Sequence, residues 1–270
     1  MVFSFKKQIT ILLLILMVEP IYAQELGARL TGLGKSGSSI FDAEAINFNV
    51  GGISQINHLI ILATYQNQYL LPEFNTFSAA ILGPVKKGVA AISLKRFGDH
   101  YYSKNKINLT FAHEIRNVSL GLQTQLIINQ NLERKNEHLL LLKFGGIIKL
   151  SSNLNFGAYI HNFLAPFFNQ SQQEDIILST GITYTPTPPL LLTVEVSKNM
   201  ELKEDFRLGL EYNFYRKLYA RTGISSAPYK NYFGLGFNHP RIVLNYALIA
   251  QDEVGYSQQL SVSYLLPRRN

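Results

Sequence analysis

The strongest constraint on the fold is an alternation of apolar and polar side chains with a period of two residues. In residues 206–214 every second side chain is apolar, and the side chains between them are Arg, Gly, Glu and Asn. The same alternation recurs in residues 107–115, 118–129 and 259–266. Because successive side chains of a β-strand point to opposite faces, each segment is predicted to be an amphipathic strand.

Ten further segments show the alternation less sharply, which brings the prediction to about fourteen strands, mostly 9–13 residues long. After residue 55 no long helical pattern competes with them. Strands of this length, when tilted, match the thickness of the hydrocarbon core of a bilayer. The ten segments are 57–69, 74–82, 88–97, 138–150, 154–163, 176–185, 190–198, 217–225, 229–238 and 241–250.

The connections between these segments alternate between short and long. Short ones are predicted at 116–117, 151–153, 185–189, 215–217 and 238–240. Longer, more polar ones are predicted at 97–106, 129–138, 165–175, 197–205 and 250–257. If the first strand starts on the periplasmic side, every short turn falls on that side and every long loop falls outside. This is the pattern of a bacterial outer-membrane β-barrel.

A soluble β-sandwich is the alternative fold, because it also contains alternating strands. Two properties disfavour it. The strands exceed the usual five or six residues. Their polar faces are rich in Gly, Ser, Asn and Gln, and charged residues make up only 16% of the chain, so those faces suit an enclosed lumen better than open solvent. The prediction is an all-β, fourteen-stranded, antiparallel transmembrane barrel.

The N-terminal residues 1–23 have the composition of a secretory signal peptide. Lys6 and Lys7 precede an apolar run, residues 9–18, and Ala23 stands before the expected cleavage point. An uncleaved membrane anchor is the alternative. The predicted organisation is a signal peptide at 1–23, an N-terminal segment at 24–55 and a barrel at 56–270, with the mature protein in the outer membrane.

The glycine-rich stretch 27–37 nearly fits two nucleotide-binding patterns, but its context excludes both. A dinucleotide fingerprint follows a strand within a βαβ unit, and here an all-β pattern follows instead. A phosphate-binding loop needs Gly where this chain has Arg29. The glycines instead permit tight bends. A compact segment, with Ser39 and Asp42 capping a short helix through Phe48, is therefore predicted to fold back into the barrel lumen.

No catalytic, cofactor or metal site is predicted. The chain has no Cys, its six His residues are scattered, and no G-x-S-x-G pattern marks a nucleophile. A barrel-wall hydrolase using Ser and His remains an alternative. The net charge of +7 comes from scattered Lys and Arg residues, with no dense basic cluster before Arg268 and Arg269, so no nucleic-acid partner is expected.

Residues 27–53 resemble the N-terminal signature of the FadL-like and PorV/PorQ-like outer-membrane barrels. Val50 and Gly51 stand where those proteins commonly have Pro-Ala. The closing stretch 232–266 also resembles their last three strands. The resemblance implies fourteen strands and an N-terminal hatch inside the barrel. The matching hatch residues are Gly27, Ala28, Arg29, Gly32, Gly34, Asp42, Asn49 and Gly52.

The resemblance implies two functions. In the FadL branch, apolar molecules pass through the barrel by hatch movement or a lateral opening, which predicts passive transport of small, hydrophobic molecules across the outer membrane. In the PorV branch, the barrel is a non-channel accessory or cargo shuttle of type IX protein secretion. A structural barrel that holds a surface partner is a third alternative. The expected partners are outer-membrane lipid, a small hydrophobic cargo and secretion-system proteins.

The alternation also predicts which charges face the lumen, because a charge on the lipid face near mid-membrane costs about 2–4 kcal/mol. One hypothesis is that Arg29 and Lys35 pair with lumenal Glu195 or Glu211 and latch the hatch; the alternative is a mixed-charge lumen that pairs internally. Four aromatic residues in the outer loops are expected either to meet cargo or a partner, or to lie at the membrane interface. They are Tyr101, Tyr102, Phe167 and Phe168. The lumen candidates are Glu114, Glu195, Arg207, Glu211 and Arg221, with Lys95, Lys143, Lys149, Gln123, Gln125, Asn155, Tyr159 and His161 beside them.

Overall fold

The computed structural model describes residues 25–132, 134–164, 174–252 and 254–267. Fourteen antiparallel strands pair in chain order. Their bounds are β1 Ile60–Asn67, β2 Asn75–Val85, β3 Gly88–Gly98, β4 Tyr102–Ile115, β5 Val118–Asn131, β6 Arg134–Lys149, β7 Leu154–His161, β8 Ile177–Thr187, β9 Leu190–Asn199, β10 Asp205–Tyr215, β11 Leu218–Ser226, β12 Tyr229–Asn238, β13 Ile242–Gln251 and β14 Gly255–Leu265.

The sheet closes on itself because β1 pairs with both β2 and β14. Ile60 lies opposite Leu265 and Asn67 lies opposite Gln258, so the closing pair runs the whole length of β1. Closure satisfies the backbone hydrogen-bonding groups that an open sheet would leave at its edges. The predicted fourteen-stranded antiparallel barrel is confirmed, and every predicted strand segment overlaps one observed strand.

The two faces of the barrel are inverted relative to those of a soluble protein. On β10 the apolar side chains point outward and are exposed, from Phe206 (58%) to Phe214 (51%), whereas Glu211 faces inward and is buried. The other strands repeat this pattern, with exposed Leu, Ile, Phe and Tyr outside and buried Ser, Thr, Asn and Gln inside. An outer surface of this kind is stable in lipid, so the barrel is a transmembrane one.

The expected long loops at 97–106, 129–138 and 250–257 were wrong in their extent. β4 begins at Tyr102, and the connections are reduced to residues 99–101, 132–133 and 252–254. The polar residues that suggested loops belong to strands that continue their pairing beyond the apolar band. Antiparallel pairing satisfies the backbone equally well in water, so polarity alone did not mark the strand ends. Phe167 and Phe168, like residues 1–24, lie outside the described residues.

Residues 25–56, which we call the lumenal segment, pack against inward-facing side chains of the wall. The segment contains a short α-helix, α1 (Ala28–Gly32), and the 3₁₀ helices Ala43–Asn47 and Val50–Ile53. Another 3₁₀ helix, Pro72–Phe74, lies between β1 and β2. α1 contacts β11–β14, and Val50–Ile53 contacts β4–β6, so the segment reaches opposite sides of the wall. Among the described residues, no helix is long and apolar enough to cross a membrane.

Apolar packing fixes one side of the lumenal segment. Ala45, Ile46 and Ile53 are buried against inward apolar side chains of β1–β4, including Leu62 and Leu82. Asp42 begins the helix Ala43–Asn47, and its carboxylate accepts the N–H of Glu44. The predicted capping by Ser39 was wrong. The Ser39 hydroxyl instead lies 2.7 Å from the Thr183 hydroxyl on β8, because the segment passes beside the wall at that point.

Candidate functional site

The candidate site is the barrel lumen, where backbone groups of the lumenal segment bond to wall side chains. The N–H of Gly27 donates to Gln259 Oε1 (3.0 Å), and the N–H of Ala28 donates to Ser261 Oγ (2.8 Å). These donors lie at the start of α1, where a helix leaves N–H groups without partners in its own backbone. The wall therefore supplies the cap that the short helix lacks.

Asn49 joins two parts of the lumenal segment to the wall. Its Nδ2 donates to the carbonyl oxygens of Ser38 (2.6 Å) and Gly146 (2.8 Å). Its Oδ1 accepts the N–H of Gly51 at 3.0 Å. The buried amide thus fixes the bend before the helix Val50–Ile53 and holds that bend against β6.

Arg29 lies at the centre of an ion-pair network between the segment and the wall. Its guanidinium contacts both carboxylate oxygens of Glu211, at 2.8 and 2.9 Å, and Asp42 Oδ2 at 2.5 Å. Glu211 also accepts from Arg221 Nε at 2.5 Å, and Arg221 continues to Asn245 Oδ1 at 3.0 Å. A two-point arginine–carboxylate contact fixes orientation as well as charge. Four of the sequence-predicted residues therefore meet in one network.

Arg207 forms a second network with another predicted glutamate, Glu195. Its guanidinium lies 3.2 Å from Glu195 Oε1 and 3.3 Å from Glu25 Oε2, and it also donates to the carbonyl oxygen of Lys35 at 3.2 Å. Glu195 in turn accepts the N–H of Ser38 at 2.7 Å. Among the described residues, no ion pair joins Lys35 to Glu195 or Glu211. Of the contacts in the latch hypothesis, the structure therefore shows the Arg29–Glu211 ion pair. The ion pair expected for Lys35 is not present among the described residues.

The last lumen candidate, Glu114, lies apart from these networks. It pairs with Lys149 at 2.6 Å and accepts from Gln55 at 3.2 Å, close to the turns that lie on the same side as the chain termini. Both partners of the ion pair are about one-third exposed. The pair therefore holds the end of the lumenal segment at the rim and takes no part in the lumenal networks.

The predicted hatch glycines mark places of close packing or unusual backbone. Gly27 and Gly34 have positive φ angles, of 153° and 69°. A Cβ on Gly32 would lie 3.1 Å from the Cα of Gly234 on β12, and one on Gly52 would lie 2.5 Å from the carbonyl oxygen of Ile40. The glycine-rich stretch therefore allows the lumenal segment to approach the wall closely, and it does not form a phosphate-binding loop.

Wall glycines match those of the lumenal segment. A Cβ on Gly157 would collide with the carbonyl oxygen of Ser38, and one on Gly223 would collide with the N–H of Gly34. A Cβ on Gly209 would likewise collide with the carbonyl oxygen of Leu33. Inward-facing glycines on several strands thus provide the space that the segment occupies.

At the other end of the lumen, the connection between β7 and β8 contacts β4. Glu174 forms ion pairs with Lys104 and, at 3.3 Å, with Lys106. Burial alone would raise the pKa of Glu174, but the ammonium groups of Lys106 and Lys104 outweigh it and lower the pKa from 4.5 to about 2. These contacts reach across the outer part of the lumen.

Sequence reasoning missed Glu44, Glu25 and Lys106. The carboxylate of Glu44 accepts the N–H groups of Arg29 (2.9 Å) and Leu30 (3.3 Å), fifteen and fourteen residues away. No helical or strand spacing predicts a contact over that separation. Lys106 was assigned to a loop, but continuing the alternation of β4 outward from Asn108 would have placed it in the lumen.

Within the part of the chain that the structure describes, no three His, Asp or Glu side chains lie close enough together to hold a metal ion.

Comparisons with known proteins identify the fold. No protein-family model matches the chain, and no curated protein matches it. Among solved structures, the chain is similar to the toluene transporter TbuX of Ralstonia pickettii, with a TM-score of 0.69 and 8% identity over 91% of this chain and 99% of that one. It is also similar to the CymD monoaromatic hydrocarbon channel, with a TM-score of 0.66 and 11% identity over 91% and 98%.

A third similar structure is the outer membrane protein Omp33 of Acinetobacter baumannii, with a TM-score of 0.50 and 6% identity over 79% of this chain and 100% of that one. Identities this low show a shared fold alone. The fold agrees with the FadL-like part of the resemblance, whereas none of these structures bears on the PorV/PorQ-like part.

Proposed function

We propose that the protein is a FadL-like channel for the passive passage of small, hydrophobic molecules across the bacterial outer membrane, and that it has no enzymatic activity. One observation carries the proposal. A fourteen-stranded barrel with an apolar exterior and a segment folded into its lumen matches, over nine-tenths of its length, structures described as a toluene transporter and a hydrocarbon channel. The comparisons give no support to the secretion alternative.

The proposed location and organisation assign a role to three parts of the chain. In this proposal residues 1–23 serve as the signal peptide that exports the chain, and the apolar exterior suits the barrel to outer-membrane lipid. Residues 24–55 act as the hatch, and residues 56–270 form the barrel. The hatch occupies the lumen at rest and must shift before cargo can pass.

The Arg29 network supports the role of the hatch. Arg29 carries two carboxylate contacts, one to Asp42 in the lumenal segment and one to Glu211 in the wall. Ion pairs of this kind hold a fixed geometry but exchange with water when a cavity opens. The contact is therefore suited to a segment that is held at rest and released during transport.

The experiment locks the lumenal segment to the wall with a disulfide. The hydroxyl oxygens of Ser39 and Thr183 lie 2.7 Å apart, and the chain has no native Cys, so the double variant Ser39→Cys, Thr183→Cys forms one defined bridge. Toluene uptake is measured in intact Gram-negative cells that lack a channel of their own. We expect uptake with the native barrel, a loss of uptake in the oxidised double variant and recovery after reduction.

Each single Cys variant serves as a matched control, because it carries the same substitution without a bridge. If the native barrel gives no uptake above cells without it, the transport proposal is wrong. If the oxidised double variant still transports, the barrel is a channel but the lumenal segment is not its hatch.

A further inference from the structure

The connections between strands at one end of the barrel are basic. At the end where β1 begins and β14 ends, which we call the terminal end, the connections contain six Lys or Arg residues and no Asp or Glu. The connections are residues 86–87, 116–117, 150–153, 188–189, 216–217 and 239–241. We call the six basic side chains the basic rim: Lys86, Lys87, Arg116, Arg216, Lys217 and Arg241.

The connections at the opposite end of the barrel are acidic in sequence. They hold nine Asp or Glu residues and a single basic residue, Lys203. Positive charge in the connections is therefore concentrated at the terminal end, and negative charge at the other end. The acidic connections are residues 68–74, 99–101, 132–133, 162–176, 200–204, 227–228 and 252–254.

The basic rim is open to its surroundings. All six side chains are exposed, and among the described residues none of them forms an ion pair with a carboxylate. Glu114, two residues before Arg116, is engaged by Lys149 at 2.6 Å. The positive charge of the rim is therefore available to an anion from outside the chain.

The basic rim borders the apolar band of the outer surface. The exposed residues Val85, Ile115 and Tyr215 each stand directly before a basic residue of the rim, and Ile242 directly follows one. A strand advances about 3.3 Å per residue, and the headgroup layer on each side of a bilayer is about 5–7 Å thick. The rim therefore lies at the level of the lipid headgroups when the apolar band lies in hydrocarbon.

Two arginines of the rim occupy turn positions that usually take a different residue. Arg116 and Arg216 are the first residues of two-residue turns, and their φ angles are 59° and 41°. Turns of this length usually place Gly, Asn or Asp where φ is positive. Arg216 also lies over the exposed Tyr215 ring, 5.6 Å from its centre, and aromatic rings of this kind mark the membrane interface. Both turns thus present a guanidinium at a cost in backbone energy.

We propose that the basic rim binds the headgroups of anionic phospholipids in the leaflet at the terminal end of the barrel. Guanidinium and ammonium groups donate charge-assisted hydrogen bonds to phosphate oxygens. A zwitterionic headgroup carries an ammonium group of its own, which the rim repels, so an anionic headgroup is preferred. The inference depends on membrane insertion of the barrel and goes beyond the proposed transport function.

The arrangement of the rim favours lipid over an acidic protein partner. Its cations form two groups, one in the connections of β2–β5 and one in those of β10–β13, and six further strands separate these groups on the two sides of the barrel. A protein docked on one side would reach one group, whereas lipids surround the whole barrel. The cations also stand next to side chains that face lipid.

The test is native mass spectrometry of the purified barrel in a neutral detergent. The probes are phosphatidylglycerol and phosphatidylcholine with identical acyl chains, and a glutamate oligopeptide as a model of an acidic protein segment. We expect the native barrel to prefer phosphatidylglycerol over phosphatidylcholine at least fivefold, the effect of about one basic contact near an anionic surface. The glutamate peptide should not bind.

Two triple variants divide the rim between its groups: Lys86→Gln, Lys87→Gln, Arg116→Gln in one, and Arg216→Gln, Lys217→Gln, Arg241→Gln in the other. Each should lose about half of the bound phosphatidylglycerol, because each removes three of the six cations. The combined variant should bind both lipids equally. The matched control is Lys198→Gln, Lys203→Gln, Lys230→Gln, which removes three positive charges at the other end of the barrel and should keep the native preference.

Equal binding of the two lipids by the native barrel would overturn the proposal, as would equal losses in the control and the rim variants. Binding of the glutamate peptide without a preference for phosphatidylglycerol would assign the rim to an acidic protein instead. Heat-modifiable gel mobility verifies that each variant is folded. If the combined variant does not fold, the two triple variants and the control decide the outcome.

Discussion

At the scale of single residues, Arg29 connects the lumenal segment to the wall through Glu211. We expect Arg29→Ala to raise the leakage of small solutes through the barrel in liposomes. The free energy of unfolding should fall by about 1–3 kcal/mol, the usual loss for charged hydrogen bonds. Glu211 would keep its bond to Arg221, which limits the damage to the wall.

Arg29→Lys is the matched control because it keeps the charge but loses the two-point contact, so its leakage should lie between those of the native protein and Arg29→Ala. Unchanged leakage in Arg29→Ala, with a barrel that remains folded, would count against a latch.

The lowered pKa of Glu174 predicts that the stability of the outer end of the lumen depends on pH. Its pKa is lowered to about 2 in the folded protein, so its contribution to stability is present above its ordinary value of 4.5 and is lost as the pH falls from 4.5 towards 2. The protection of the amides of residues 174–176 against hydrogen exchange, corrected for the intrinsic pH dependence of exchange, should fall over that window. In Glu174→Gln the same amides should be weakly protected at every pH; an unaltered profile would show that the ion pairs do not hold this connection.

The charged residues also mark the limit of prediction from the sequence. Burial of Glu195, Arg207, Glu211 and Arg221 in the lumen follows from strand alternation and the high cost of charge in lipid. Their partners do not follow, because the choice between Glu195 and Glu211 depends on where the lumenal segment meets the wall. The pairing of Lys95 with Lys106 was missed for a similar reason, since cross-strand register is a property of the assembled sheet.

At the scale of elements, the strands were predictable and their ends were not. The period of two follows from the geometry of any strand, so fourteen segments were recognised from side-chain chemistry alone. The outer ends of β4, β5 and β6 carry Lys, Asn, Gln and Glu, which resemble loop residues in composition. These ends are stabilised by pairing with a neighbour that is also polar, and no single segment reveals that pairing.

The close fit between lumenal segment and wall gives an element-scale prediction. Gly157→Val should displace the segment, because a side chain at that position would meet the backbone of Ser38 and Ser39, which has no flexible end to move aside. Overpacking of this kind costs about 1–3 kcal/mol. We expect faster solute leakage from liposomes while strand pairing persists.

The neighbouring residue provides the control. Ala158 points outward from the same strand, so Ala158→Val adds a similar volume to the lipid face and should leave leakage unchanged. Equal leakage from Gly157→Val, Ala158→Val and the native barrel would show that the lumenal segment does not limit the passage.

At the scale of the whole molecule, the two faces of the sheet are inverted relative to those of a soluble protein. The barrel is closed, its apolar side chains face outward, and its polar and charged side chains surround a segment of the same chain. The ion-pair networks and the wall glycines all lie on the inner side, and that side is an enclosed lumen within a membrane only if the outer surface faces lipid. All of these features therefore require membrane insertion with the apolar face outward.

Spin labelling of β10 tests this orientation of the two faces. The chain has no Cys, so single Cys residues at successive positions from 206 to 214 can each carry a nitroxide in the barrel reconstituted into liposomes. With the apolar face in lipid, we expect collision with lipid-soluble oxygen to peak at positions 206, 208, 210, 212 and 214 and to fall at the positions between them. A flat profile, or greater access of a water-soluble nickel complex to positions 208, 210 and 212 than to their neighbours, would contradict it.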